Sequence, residues 1–344
     1  MIDKIRLGRT EMMVSRLGFG GIPIQRISED KAIAVVKRCL ELGINFMDTA
    51  SGYTTSEERI GKAIAGRRQD VILATKSMAR THEELESQVN LSLKRFNADY
   101  IDLYQFHNVS DLNTLDKILD RQGLITVLEK AKKAGKIRHI GITSHQLDTA
   151  KAAVKTGRFE TIMFPFNFIA SEPEKELLPL VREQDMGFIV MKPLSGGRLT
   201  DIKMAFRYLF QFPDIVPIPG IEKTAQIEEI VRVLEAPAPF TKAERGRMAR
   251  IRREIGNRFC RRCDYCRECP AEIPISMVLF TPTIMQDAPK ERWFSGRLAE
   301  LMDKIDDCTD CGQCEEKCPY HLPIREMMRE YQTSYRAEKA AYEK

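Results

Sequence analysis

The stretch Asn45–Phe46–Met47–Asp48–Thr49–Ala50–Ser51–Gly52–Tyr53 closes a short apolar run with an acid and sets a tyrosine beyond a glycine-containing loop. The same design returns twice. Val71–Ile72–Leu73–Ala74–Thr75 ends at Lys76, and Ile101–Asp102–Leu103–Tyr104–Gln105–Phe106 ends at His107. Lys76 follows Asp48 by 28 residues, and His107 follows Lys76 by 31. One strand, one helix and two loops take about 30 residues. If these runs are parallel neighbours, the residues just past their ends collect at one rim. Asp48, Tyr53, Lys76 and His107 are expected to meet there.

Working outward, the alternation continues. Ile5 to Gly20 reads as a hairpin running into a first strand, with Gly20 and Gly21 at its end, where glycine lets a cofactor approach the backbone closely or simply forms a plain loop. Helices are expected over Ser28–Leu42, Glu57–Ala65, Glu83–Phe96 (capped by Thr81), within Leu112–Ala134, and over Asp148–Thr156, Glu174–Glu183, Met204–Phe210 and Thr224–Leu234. Between them, strands are expected over Val71–Thr75, Ile101–Phe106, Lys136–Thr143, Thr161–Phe166, Gly187–Met191 and Ile215–Ile218. Eight such units over roughly 220 residues imply an α/β fold, a closed (β/α)8 TIM barrel. The alternative is a doubly wound open sheet, which the lack of a GxGxxG after the first strand disfavours. Alternation stops at the Pro-rich Glu235–Phe240, so residues 1–240 and 241–344 are expected to be separate domains.

Composition narrows the function. With 43% apolar and 30% charged residues, the chain reads as soluble and globular. A net charge of +5 gives no reason to expect nucleic acid. No apolar run approaches the roughly 18 residues of a membrane helix. The opening MIDKIRLGRTEM has no apolar signal segment, so a cytoplasmic location is expected. Of nine cysteines, Cys39 stands alone on an amphipathic helix and reads as a core thiol. The other eight form two tight groups, which in such a chain favours metal over disulfides.

The segments INFMDTASGY, VILATKS, IDLYQFHN and GKIRHIGITSH resemble, in order, the signature segments of the aldo/keto reductases, from about Arg6 to Leu234. The resemblance implies an oxidoreductase that reduces an aldehyde or ketone with NADP or NAD, and it implies an Asp48, Tyr53, Lys76, His107 tetrad. Hydride addition puts negative charge on the carbonyl oxygen, so a proton donor is needed there. A free tyrosine, with a pKa of about 10, becomes a better donor beside a lysine cation, which Asp48 can hold in place. His107 can hydrogen-bond and orient the carbonyl. The remaining histidines, His82, His139, His145 and His321, read as caps, surface or loop residues, with His145 alone near the pocket.

The resemblance also implies cofactor positions, several of them altered here. The pair that holds the nicotinamide amide falls on Thr143 and Ser144, a usual glutamine on Met163, and the stacking aromatic on Met191. The cations that grip a 2′-phosphate fall on Gly220 and Gln226, which leaves the choice between NADH and NADPH open. Lys192, Ser195, Gly196, Gly197 and Arg198 are expected to cradle a pyrophosphate through backbone N–H groups and cations, with Pro193 and Leu194 as further cofactor positions beside them.

Cys260-x2-Cys263-x2-Cys266-x2-Cys269-Pro270 precedes Cys308-x2-Cys311-x2-Cys314-x3-Cys318-Pro319. The second run matches the bacterial ferredoxin pattern, in which the fourth cysteine of each run serves the other cluster. A small, mainly helical ferredoxin-like iron–sulfur domain is therefore expected. One [4Fe–4S] cluster would lie on Cys260, Cys263, Cys266 and Cys318, and a second on Cys308, Cys311, Cys314 and Cys269. Two zinc sites, each held by four cysteines, are the plainer alternative. From Thr241 to Pro270, ten Lys/Arg face four Asp/Glu. These cations, Arg258, Arg261, Arg262 and Arg267 among them, either offset anionic clusters or form a docking face for an acidic ferredoxin- or flavodoxin-type partner. Three readings result: a nicotinamide-dependent carbonyl reductase with electron-transfer clusters, a reductase driven by a ferredoxin or flavin partner, or a barrel with a structural or redox-sensing docking module.

Overall fold

The computed structural model describes residues 2–256, 258–260, 262, 265–318 and 320–343, without the side chain of Asp287. Arg261, Cys263 and Pro319, named above, lie outside the described residues. The chain divides into two compact units, Met1–Phe240 and Thr241–Lys344.

In the first unit a hairpin of β1 (Lys4–Arg6) and β2 (Met13–Ser15) precedes eight strands. These are β3 (Phe19–Gly20), β4 (Phe46–Asp48), β5 (Ile72–Ser77), β6 (Ile101–Phe106), β7 (Ile137–Thr143), β8 (Thr161–Pro165), β9 (Gly187–Met191) and β10 (Ile215–Pro217), parallel and paired in chain order. A parallel bridge between Gly20 and Gly220 closes the ring, as do bonds from Gly18 N to Pro217 O and Gly20 N to Pro219 O. A Cβ on Gly20 would lie 2.8 Å from Ile218 O, and one on Gly21 2.8 Å from Ser56 Oγ. The space beside Gly20 is thus taken by the barrel seam, and that beside Gly21 by Ser56, Asp48 and Thr49, not by a ligand.

Helices cover the ring because their apolar residues recur at helical spacing. Ala32, Val35, Val36, Cys39 and Leu40 are the buried face of α1 (Glu29–Glu41). α2 is Ser56–Ala63, and α3 is His82–Phe96, whose first turn Thr81 caps by accepting from Glu84 N. Two expected helices are each broken. Leu112–Ala134 forms α4 (Leu112–Leu119) and α5 (Ile125–Lys133), because Asp120 turns extended after Leu119. The Glu174–Glu183 segment forms α7 (Glu172–Glu176) and α8 (Leu178–Glu183), since Pro179 lacks the N–H that a continuous helix needs. α6 (Leu147–Lys155), α9 (Ile202–Leu209) and α10 (Thr224–Glu235) complete the layer.

Period-two alternation sends Phe46, Ala74, Leu103, Met163, Ile189 and Val216 inward as one apolar cluster, which Leu7 and Val14 of the hairpin join. The hairpin thereby plugs one end of the barrel. Two residues along from Phe46, Ala74 and Leu103 come Asp48, Lys76 and Gln105, buried at the other end.

The second unit is helical among its described residues: α11 (Lys242–Gly256), α12 (Ile275–Asp287), α13 (Gly296–Asp303), α14 (Gln313–Glu316) and α15 (Ile324–Tyr342). Thr241 and Glu244 form a reciprocal cap at the start of α11, Glu244 N donating to Thr241 Oγ1 and Thr241 N to Glu244 Oε2. Only Met248 and Gly256 of α11 are buried, so its arginines stay on a solvated face. The core gathers Val278, Leu279, Met302, Ile305, Met327 and Met328 around Cys266 and Cys318. Among the described residues no helix is long and apolar enough to cross a membrane.

Candidate active site and cysteine centre

Strand register brings the candidate groups together. Asp48 pairs with Ala74, and Lys76, one inward position further along β5, pairs with Gln105 on β6. Lys76 Nζ donates to Asp48 Oδ1 at 2.5 Å and to Thr49 O at 2.8 Å. Gln105 Nε2 donates to the second Asp48 oxygen at 3.1 Å. Burial lifts the Asp48 carboxyl above its ordinary range, and the Lys76 cation and Gln105 amide act against that lift.

Tyr53 lies on the loop after β4, which is stitched to β5 by Thr49 N to Ala74 O and Ser51 N to Lys76 O. The Lys76 ammonium is 5.3 Å from the Tyr53 ring centre. The ring meets His107 edge-on, with centres 5.9 Å apart. Desolvation first, then the Lys76 and Arg80 charges, hold the His107 imidazole well below its ordinary pKa, so it is neutral near pH 7. Aspartate, tyrosine, lysine and histidine therefore share one end of the barrel.

Some supporting residues carry no signal in the sequence. Gln105 reads there only as part of a strand. Arg80 Nη2 donates to His107 O at 2.6 Å. Glu57 is buried, accepts from Thr75 Oγ1 at 2.7 Å, and pairs with Arg95 at 3.2 Å. Arg95 also donates to Ser51 O at 3.0 Å, bracing the Tyr53 loop from beneath. Inter-strand register reveals Gln105, while helix and loop packing reveal Glu57, Arg95 and Arg80, and a single sequence contains neither.

The expected nicotinamide positions divide into two kinds. Thr143 Oγ1 accepts from Asn108 N at 2.7 Å, and Ser144 Oγ donates to Val109 O at 2.8 Å, so both tie the loop after β7 to the loop that carries His107. Met163 belongs to the apolar interior, with Met191 packed against it. Gly220 sits at the barrel seam. Gln226 Oε1 accepts from Glu222 N and Lys223 N, each at 3.0 Å, and thereby caps α10.

The loop after β9 is different. Lys192, Ser195, Gly196 and Gly197 have φ of 54°, 50°, 66° and 86°, and Asn167 Nδ2 pins Lys192 O at 3.0 Å. Within it Pro193 is buried, while Leu194 and Arg198 are partly exposed. Ser195 Oγ is buried without a hydrogen-bond partner. A left-handed backbone run around an orphaned hydroxyl is a cradle that a phosphate oxygen would complete, so these residues fit a dinucleotide.

His139 pairs with Glu160 at 2.7 Å on the barrel wall, and His82 is exposed in the first turn of α3. His145 is partly buried, and His321 is exposed with φ of 49°. Cys39 is a core thiol, which burial pushes up to about 12.

In the second unit Cys269, Cys308, Cys311 and Cys314 line one cavity together with Gly312 and Arg325. Cys260 packs against the same apolar core that holds Cys266 and Cys318. Among the described residues no three His, Cys, Asp or Glu side chains already stand at metal-holding distance. The cavity walls, four sulfurs in an apolar shell, nonetheless suit a thiolate-bound cluster. Of the surrounding cations, Arg258 is engaged by Glu326 and Glu330, and Arg267 is exposed. Arg262 N donates to Cys260 Sγ at 3.4 Å, and its guanidinium lies 4.6 Å from the Phe280 ring centre.

Comparison with known proteins agrees with both halves. Residues 16–204 match the aldo/keto reductase family, and residues 259–323 match a 4Fe-4S dicluster domain. YqkF, an oxidoreductase of Bacillus subtilis, is 33% identical over 58% of this chain and 67% of its own length. An NADH-specific methylglyoxal reductase of Escherichia coli is 30% identical over 56% of this chain and 67% of its own. The holo form of an aldo-keto reductase from Bacillus halodurans superposes with a TM-score of 0.63 at 29% identity, over 73% of this chain and 96% of that one. The chain is therefore an oxidoreductase that belongs to the aldo/keto reductase family and carries a 4Fe-4S dicluster domain behind its barrel.

Proposed function

We propose that the barrel reduces an aldehyde or ketone with a nicotinamide dinucleotide, through Asp48, Tyr53, Lys76 and His107. The observation that carries this reading is the buried Lys76, paired with Asp48 at 2.5 Å and facing the Tyr53 ring. When bound, the nicotinamide supplies the hydride that the carbonyl carbon accepts. The chain's own groups handle the oxygen. His107, neutral, offers an N–H that orients the carbonyl. Tyr53 gives its proton to the oxygen as charge develops there, and Lys76 stabilises the phenolate left behind. Asp48 and Thr49 O hold Lys76 in place, and Gln105 holds Asp48. The Lys192–Arg198 loop would take the pyrophosphate, with Ser195 Oγ as a donor. Among the relatives, the E. coli enzyme is named for NADH, and the donor proposed here is NADH or NADPH. Tyr53→Phe is expected to lower the rate of carbonyl reduction about 10²–10⁴-fold while leaving iron content intact. An unchanged rate in an NAD(P)H oxidation assay would remove Tyr53 as the proton donor.

The second unit, in this proposal, holds two [4Fe–4S] clusters that transfer electrons, one on Cys269, Cys308, Cys311 and Cys314, the other on Cys260, Cys263, Cys266 and Cys318. The shared cavity of the first four supports that division, which crosses between the two cysteine runs. A second reading has a reduced ferredoxin- or flavodoxin-type protein feeding electrons through the clusters. The exposure of Cys311 and the solvated arginines of α11 favour it. Anaerobic assays with reduced ferredoxin in place of NAD(P)H separate the two.

A further inference from the structure

Arg325, at the start of α15, lines the cavity of Cys269, Cys308, Cys311 and Cys314. Its fork is committed elsewhere. Nη2 donates to Glu315 Oε2 at 2.7 Å, Nη1 donates to Asp310 O at 2.9 Å, and Arg325 N donates to Glu315 Oε1 at 3.0 Å. Held at both ends of its fork, with the backbone bonded to the same carboxylate, the side chain has little freedom to turn. Its Nε, by contrast, is buried and has no hydrogen-bond partner. The guanidinium packs over the loop between Cys311 and Cys314, 3.9 Å from where a Cβ of Gly312 would stand. A buried cationic N–H without an acceptor is costly, so the acceptor is expected to be a group that the cavity receives.

We infer that Arg325 donates its Nε–H to a sulfur of the cluster bound by Cys269, Cys308, Cys311 and Cys314, and so raises that cluster's reduction potential. The inference rests on the cluster assignment proposed above. Reduction adds an electron whose charge spreads over the sulfurs. A fixed N–H donor on a cation favours that reduced form over the oxidised one. The Glu315 carboxylate, paired with Nη2 at 2.7 Å, keeps the guanidinium charged.

The test uses the full chain purified anaerobically, with iron counted and cluster potentials read by EPR-monitored redox titration. Native protein is compared with Arg325→Lys, Arg325→Gln and Arg329→Gln. Arg325→Lys retains a cation for Glu315 but has no donor in place of Nε. Arg329, on the same helix, pairs with Asp310 and is not part of the cavity wall. About eight irons are expected in native protein. Both Arg325 variants should keep them, with one cluster signal moved to lower potential and the other unmoved. Arg329→Gln should move neither. Native protein without iron would overturn the cluster assignment itself. Full iron with unmoved potentials in Arg325→Gln overturns this inference alone, as do equal movements in Arg325→Gln and Arg329→Gln. Loss of iron from both Arg325 variants would make the residue a structural clasp and also overturn it.

Discussion

The barrel rim and the cysteine cavity hold their reactive groups by opposite means. At the rim, each buried charge meets another group of the same chain. Lys76 has Asp48 and Thr49 O, Asp48 has Gln105, and the Tyr53 loop has Arg95. Around the cavity, Cys269, Cys308 and Cys314 are packed against apolar side chains, and Cys311 is exposed. Burial, followed by Glu315 and Cys269, pushes the Cys314 thiol up to about 11. A site of compensated charges is shaped by folding alone. A site of thiols takes its charge state, and much of its stability, from the metal that displaces their protons. Damage to the first should therefore be felt as lost catalysis or local strain, and damage to the second as lost metal.

Three experiments probe this contrast, beginning with the largest effect. Replacing Cys308 and Cys311 together by Ser is expected to remove one cluster, about half of eight irons, while NAD(P)H-driven carbonyl reduction continues. Iron analysis beside the reductase assay checks it, and joint loss of iron and barrel activity would break the contrast. Next, Lys76→Met leaves Asp48 buried without its cation and should cost about 3–5 kcal/mol of barrel stability. Denaturant unfolding measures this, and adding Asp48→Asn should restore most of the loss. The smallest effect concerns pH. His107 is held neutral in the folded chain, so below its ordinary pKa of 6.5 the unfolded chain binds a proton that the folded one refuses. Stability should thus fall as pH drops through that value, by up to about 1.4 kcal/mol per pH unit. Denaturant midpoints measured on either side of it should differ in native protein and differ less in His107→Gln.

Much of this architecture could be read from residue order. Asp48, Lys76 and His107 each end an apolar run, and the spacing of those runs was enough to bring them to one rim. The cysteine runs were legible for a similar reason, because ligand spacing is local. What stayed hidden depends on contacts between distant segments. Gln105 looked like any strand residue until register set it beside Lys76, and Glu57 with Arg95 spans 38 residues. The split of Leu112–Ala134 into two helices hinges on the extended backbone at Asp120, which no periodicity announces. Arg325 is close in sequence to the second cysteine run, but nothing in the spacing shows that the start of α15 turns its guanidinium back to the sulfurs.

The hairpin packed against the barrel's apolar interior through Leu7 and Val14 has a corollary for access. With that base stoppered, a molecule bound for the buried lysine has to come in over the opposite mouth, past the loops that carry Tyr53 and His107.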